Sequence, residues 1–113
     1  MEIKKVLNQI VERLKLANPY KIVLFGSYAK GTPTSESDID LMVILDNYHL
    51  PENYTEQLKI RRDIKKMTLD INYKYPMDLK IYSRAEFKEL ENRGSFLIGE
   101  IKRTGVTIYE KSN

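Results

Sequence analysis

Apolar residues recur at intervals of three and four positions along the first part of the chain. This spacing is typical of an amphipathic helix that buries one face. We expect the helix to end near Asn18 and Pro19, because proline disfavours helical backbone at the residue before it. The apolar positions are Ile3, Val6, Leu7, Ile10, Val11 and Leu14.

Two short runs of β-branched and other apolar residues follow, at positions 20–25 and 39–45. Their length and composition predict strands that are buried on at least one face. Gly26 closes the first run, and positions 26–31 leave room for one helical turn before a polar loop.

The second half of the chain predicts a loop at 46–53 and a helix over 54–72, where apolar residues return to helical spacing. A strand is predicted at 77–82, a helix over 84–103 with interruptions at Gly94 and Gly99, and a closing strand at 106–109. This order predicts an α/β fold: one domain over residues 1–113, with a small mixed sheet of three to four strands flanked by helices.

Composition agrees with a single domain, since 42% of the 113 residues are hydrophobic and 31% are charged. A net charge of +3 permits contact with polyanions without requiring it, and nucleic acid is not the expected substrate. The absence of cysteine excludes disulfides and thiolate metal sites, which fits the cytoplasm. No apolar run resembles a signal peptide or spans a bilayer, so we expect a soluble protein without a membrane partner.

Two aspartates, Asp38 and Asp40, flank Ile39 at the start of the second predicted strand. Strand side chains alternate, so both carboxylates are expected on one face. Two carboxylates held this close repel one another unless a cation or a proton compensates. Mg²⁺ prefers such hard oxygen ligands together with substrate phosphates, whereas an isolated Asp-x-Asp is more often a surface feature.

The turn before these aspartates strengthens the case for a phosphate ligand. Gly26 and Ser27 end the first strand and open a short helix, where backbone N–H groups are free to face an anion. Without the carboxylates, a turn with a capping serine would be the simpler interpretation. Asp78 opens the third predicted strand, and if that strand lies beside the second, it reaches the same site as a base or a metal ligand.

Together these residues resemble the signature of the DNA polymerase β-like nucleotidyltransferase superfamily, and specifically its minimal nucleotidyltransferase family. The resemblance covers nearly the whole chain and includes a third strand that carries an acidic residue. The residues that carry it are Gly26-Ser27-Tyr28-Ala29-Lys30-Gly31, six further residues, and Asp38-Ile39-Asp40-Leu41.

The resemblance implies that Gly26 and Ser27 hold a triphosphate and that Asp38 and Asp40 bind one or two Mg²⁺ ions. It assigns Asp78 to a third ligand or a base. Lys30 stands where many relatives carry arginine, which keeps the positive charge but loses bidentate phosphate geometry.

The family resemblance further implies transfer of AMP from ATP to a hydroxyl of a partner, with the chain acting as antitoxin to a HEPN-domain protein. Two alternatives stay open: a nucleotide-binding antitoxin that neutralises its partner by binding alone, and a small-molecule nucleotidyltransferase. Homo-oligomers are a further option, because the apolar residues near the C-terminus exceed what one helix face needs. These residues are Phe96, Leu97, Ile98 and Ile101.

Overall fold

The computed structural model describes residues 3–112. Four strands form one mixed sheet in the order β3-β2-β1-β4. β2 runs antiparallel to β1 and parallel to β3, and β4 pairs antiparallel with the other edge of β1. The strands are β1 (Pro19–Phe25), β2 (Ile39–Leu45), β3 (Met77–Ser83) and β4 (Val106–Glu110). The predicted α/β class and mixed sheet of three to four strands are confirmed, and the sheet has four strands.

Six helices accompany the sheet within the described residues. They are α1 (Ile3–Leu14), α2 (Gly26–Lys30), α3 (Tyr54–Lys65), α4 (Leu69–Lys74), α5 (Arg84–Asn92) and α6 (Phe96–Thr104). α1 ends in a 3₁₀ turn, and Asn18 then adopts a left-handed conformation (φ 54°) before Pro19 starts β1. All of these helices are too short or too polar to cross a bilayer.

Helices cover both faces of the sheet. Strand side chains alternate between the faces, and both faces carry apolar side chains that need to be buried. On one face, α1, α3 and α4 pack against a buried cluster that includes Ile22, Leu41 and Ile81. On the other face, α5 and α6 pack against Val23 and Met42. The sheet is therefore the middle layer of a three-layer arrangement.

The helix predicted over 54–72 is divided. A 3₁₀ turn over Lys66–Thr68 separates α3 from α4, and α4 continues to Lys74. Thr68 is buried, and its hydroxyl donates a hydrogen bond to the carbonyl of Lys65. Such a hydroxyl-to-backbone bond competes with the regular helical pattern and bends the helix.

The C-terminal helical region matches the prediction at one glycine and not at the other. Gly94 has φ +70° and lies in the break between α5 and α6, as predicted. The interruption predicted at Gly99 was wrong, because Gly99 lies inside α6. Ile98 and Ile101, on either side of it, are buried against the sheet, and this packing outweighs the low helix propensity of one glycine. Phe96, by contrast, is 81% exposed.

Candidate active site

Asp40 lies in the middle of a row of three residues on neighbouring strands. Its register partner on β1 is Phe25, and its partner on β3 is Asp78. Register partners point to the same face of a sheet. The parallel pairing of β2 with β3 therefore places the predicted third acidic residue beside Asp40.

Backbone and side-chain hydrogen bonds hold the start of β3 against the start of β2. The Ile39 amide donates to the Pro76 carbonyl over 3.0 Å. One residue later, the Met77 amide donates to Oδ1 of Asn72 over 2.7 Å. Asn72 belongs to α4, so this bond fixes the position from which β3 carries Asp78 into the site.

We expect Asn72→Ala to lower the free energy of unfolding by about 1 kcal/mol, because the partly buried Met77 amide loses its acceptor. Urea unfolding measures this change. Asn8→Ala, at an exposed position of α1, is the control and should leave stability nearly unchanged. Equal effects of the two substitutions would contradict a specific role for Asn72.

Gly26 brings the turn after β1 directly against the carboxylate of Asp40. Its φ of +72° is a left-handed conformation that favours glycine. A Cβ atom at this position would lie 2.1 Å from Oδ2 of Asp40, which is far inside van der Waals contact. Both the backbone conformation and the space therefore require glycine, and the predicted link between the turn and the aspartates has a geometric basis.

Ser27 follows Gly26 as the second residue of α2, while Phe25 at the N-cap has extended backbone and makes no side-chain capping bond. Lys30 is exposed at the last position of α2, and no ion pair among the described residues includes it. The helix ends at Gly31, with φ +75°. The structure thus places Ser27 next to the Gly26 turn and Lys30 at the far end of the same short helix.

A hydrogen-bonded turn leads from α2 to Asp38. The Thr34 amide donates to Oγ of Ser37 over 2.8 Å, and the Ser37 amide donates to the Thr34 carbonyl over 3.1 Å. Asp38 is exposed immediately before β2 begins at Ile39. It is near enough to Asp40 to influence the charge of that side chain, as the pKa of Asp40 shows.

The pKa of Asp40 is raised above its ordinary value, most of all because partial burial disfavours the charged form. The neighbouring charges of Asp78 and then Asp38 raise it further, whereas Lys80 lowers it. Both neighbouring aspartates therefore oppose the ionisation of Asp40, and a bound cation would relieve that repulsion.

Lys80 is a member of the site that the sequence reasoning missed. Its Nζ lies 3.3 Å from Oδ2 of Asp78, and the two side chains are 40% and 45% exposed. A lysine two positions after an aspartate on one strand points to the same face. That spacing was the available signal for its presence here.

The donor set suits Mg²⁺, since three carboxylates supply hard oxygen ligands and Gly26 leaves open the space that a Cβ would fill beside Asp40. Among residues 3–112, however, no three acidic, histidine or cysteine side chains converge closely enough to hold an ion as they stand. The carboxylate of Asp78 instead contacts Lys80. Asp38, Asp40 and Asp78 as metal ligands therefore stay a prediction.

A cavity of about 880 Å³ lies elsewhere. Its walls include Val23, Ile44, Phe87 and Ile101, between the sheet and helices α5 and α6, and none of the three aspartates lines it. The candidate active site lies instead at one end of the strands, where β1 ends and β2 and β3 begin.

A family model described as "Polymerase beta, Nucleotidyltransferase" matches residues 7–113. The chain belongs to this nucleotidyltransferase family. The match spans the Gly26 turn and all three aspartates, so the predicted resemblance to polymerase β-like nucleotidyltransferases is confirmed at the level of the family.

Two curated proteins of Methanocaldococcus jannaschii are similar to this nucleotidyltransferase domain. "Putative protein adenylyltransferase MJ1305" is 36% identical over 83 residues, covering 67% of this chain and 53% of the relative. "Putative protein adenylyltransferase MJ1379" is 42% identical over 69 residues, covering 58% of this chain and 66% of the relative. The chain thus spans between about half and two thirds of the length of these relatives.

A solved toxin–antitoxin structure with AMP-PNP has a similar fold. It superposes with a TM-score of 0.56 at 20% identity and covers 93% of this chain and 73% of that one. At this identity the likeness concerns the fold alone.

Proposed function

We propose that this nucleotidyltransferase domain transfers AMP from ATP to a hydroxyl group of a partner protein. The observation that carries the proposal is the contact between the Gly26 turn and the Asp40 carboxylate, which lies in register with Asp78. A turn that can approach phosphates and an acidic group that can hold a cation are the two parts that phosphoryl-group transfer requires.

Each predicted residue has a role in this proposal. The backbone of Gly26 and Ser27 holds the triphosphate, and Lys30 adds positive charge at the end of the same helix. Asp38, Asp40 and Asp78 hold one or two Mg²⁺ ions. When bound, Mg²⁺ neutralises charge on the phosphate oxygens and orients the nucleotide.

The reaction forms one bond and breaks another at the α-phosphorus. The acceptor hydroxyl oxygen attacks that phosphorus, the bond to the bridging oxygen of the β-phosphate breaks, and pyrophosphate leaves with the electron pair. A carboxylate has two oxygens, so Asp78 can ligate through one and accept the hydroxyl proton on the other. The half-exposed position of Asp78 suits contact with an incoming protein acceptor.

The names of the relatives support a protein acceptor and a role in a toxin–antitoxin pair. Two curated relatives carry the description "Putative protein adenylyltransferase", and a structure of similar fold is a toxin–antitoxin with AMP-PNP. We therefore propose that the chain is an antitoxin that modifies a HEPN-domain toxin in the cytoplasm.

The test is transfer of label from α-labelled ATP, in the presence of Mg²⁺, to the protein encoded by the neighbouring gene, which the proposal expects to contain a HEPN domain. Wild-type protein should label the partner, and Asp38→Asn should reduce the rate by about 100-fold or more, because one metal ligand is lost. Asp63→Asn is the matched control, since Asp63 is exposed on α3 and pairs only with Lys59 among the described residues.

Two outcomes would overturn transfer to a protein. If Asp38→Asn protects cells from the partner as well as wild type does, the chain neutralises its partner by binding alone. If label instead appears on a small-molecule hydroxyl and never on the partner, the chain is a small-molecule nucleotidyltransferase.

A further inference from the structure

Lys80 is a cation next to the acidic group, and it already has a partner there. It lies two residues beyond Asp78 on β3 and in register with Met42, which is two residues beyond Asp40 on β2. Asp40, Asp78 and Lys80 therefore share one face of the sheet. The ammonium contacts one oxygen of Asp78 at 3.3 Å.

The charge of Lys80 opposes the repulsion among the aspartates. Its ammonium lies on the same face of the sheet as Asp40 and Asp78 and contacts an oxygen of Asp78. A divalent cation bound to Asp78 would supply positive charge at the same carboxylate. Lys80 and a metal ion are thus alternative sources of positive charge for this group of carboxylates.

We propose that Lys80 is a positioning residue that holds the Asp78 carboxylate until a divalent cation displaces it, and that its ammonium then pairs with a phosphate of the nucleotide. The inference rests on the proposed function, because it needs both ligands at this site. Lys80 would exchange the Asp78 carboxylate for a phosphate of the nucleotide when the cation binds. Lys80 lies outside the sequence motif of Gly26 to Leu41.

In this proposal, Lys80 and Mg²⁺ compete for the carboxylate of Asp78. Mg²⁺ binds carboxylate oxygens at about 2.0–2.1 Å. An ammonium that stays 3.3 Å from an oxygen of Asp78 would bring a positive charge close to such an ion, and the repulsion would weaken both contacts. The long, flexible lysine side chain, 40% exposed, can instead turn toward a phosphate.

The first measurement is the affinity for Mn²⁺ without nucleotide, by electron paramagnetic resonance of the free ion. Lys80→Met keeps an unbranched side chain that is one atom shorter and removes its charge. We expect it to bind Mn²⁺ about five- to tenfold more tightly than wild type, because both a competitor for Asp78 and a repelling charge are lost. Lys80→Arg should bind no more tightly than wild type. Lys59→Met, at an exposed position of α3, should match wild type.

The second measurement is the affinity for the Mn²⁺ complex of ATP, by isothermal titration calorimetry. Lys80→Met should weaken this affinity about tenfold, since one charged contact to phosphate is lost. Opposite signs for the two ligands distinguish partner exchange from simple loss of structure, which would weaken both.

Unchanged or weaker Mn²⁺ binding by Lys80→Met, with folding intact by circular dichroism, would overturn the inference and leave the proposed function standing. Failure of the wild-type protein to bind Mn²⁺ or its ATP complex would overturn the proposed function itself. Tighter Mn²⁺ binding together with unchanged affinity for the ATP complex would refute the transfer of Lys80 to phosphate.

Discussion

Gly26→Ala is expected to reduce nucleotide transfer by about 100-fold or more. The new Cβ would lie 2.1 Å from Oδ2 of Asp40, whereas real contacts of this kind are essentially never below 3.0 Å. Either the turn or the carboxylate must therefore move by about an ångström, and a displacement of that size in an active site costs about 10²-fold in rate. Initial rates of transfer from labelled ATP, with Mg²⁺ and the partner protein, measure the loss.

Gly31→Ala is the matched control for this substitution. Gly31 has nearly the same backbone conformation, φ +75°, but a Cβ there would meet nothing within 4 Å. Both variants carry the strain of a left-handed non-glycine residue, about 1–2 kcal/mol in thermal or urea unfolding. Only Gly26→Ala should lose transfer far beyond the loss of folded protein. Equal activity of the two variants, corrected for the folded fraction, would show that the contact with Asp40 is unimportant.

The sequence was sufficient to predict the features that depend on local pattern. The strand from Ile39 to Leu45 follows from a dense apolar run, and the short helix after Gly26 follows from a glycine that ends a strand. The family resemblance rests on the same residues. Local pattern also predicted the break at Gly94, where φ is positive and a Cβ would meet no atom within 4 Å.

The remaining features depend on contacts between segments distant in the chain. The row of Phe25, Asp40 and Asp78 needs a strand order that no local pattern determines. The bond from the Met77 amide to Asn72 requires the end of α4 to lie beside the start of β3. The spacing of Asp78 and Lys80 predicts that both side chains lie on one face of a strand, but only the strand order shows that this face also carries Asp40.

Asp40→Asn is the second substitution with a large expected effect, about 10³-fold or more on the rate of transfer. The amide keeps the size of the side chain but removes the negative charge of the residue that lies between the Gly26 turn and Asp78. Stabilisation of several kcal/mol from a bound cation would be lost, and each 1.4 kcal/mol corresponds to about tenfold in rate. The same labelled-ATP assay measures it.

Asp40→Asn should nevertheless leave the folded protein at least as stable as wild type when no divalent cation is added. The pKa of Asp40 is raised by folding, so the folded state holds the proton more tightly than the unfolded state does. The ionised side chain therefore costs stability. The protonated side chain favours the folded state, and wild type loses this contribution to stability as the pH rises from the ordinary carboxylate pKa of 3.8 through the raised value. The asparagine variant has no such pH-dependent loss at this position. Thermal unfolding from about pH 3 to pH 7 measures the difference.

Asp46→Asn, just beyond the other end of β2, is a control that should have the opposite effect on the stability of the folded protein. Hydrogen bonds from Lys111 and Arg84, over 2.8 Å and 3.0 Å, hold the pKa of Asp46 below its ordinary value. Its charge therefore stabilises the fold, and wild type loses that contribution as the pH falls through the ordinary value of 3.8 and then the lowered one. Asp46→Asn should lower the melting temperature at neutral pH and retain transfer.

Addition of Mg²⁺ and ATP provides a second measurement that distinguishes Asp40→Asn from Asp46→Asn. The ligands should raise the melting temperature of wild type and of Asp46→Asn, because a ligand that binds only the folded state stabilises it. They should not raise that of Asp40→Asn. A mere surface carboxylate at position 40 would give the reverse pattern: transfer would persist in Asp40→Asn, and the ligands would stabilise all three proteins alike. A stable but inactive variant that fails to respond to Mg²⁺ and ATP is therefore the result that distinguishes a ligand-binding Asp40 from a structural one.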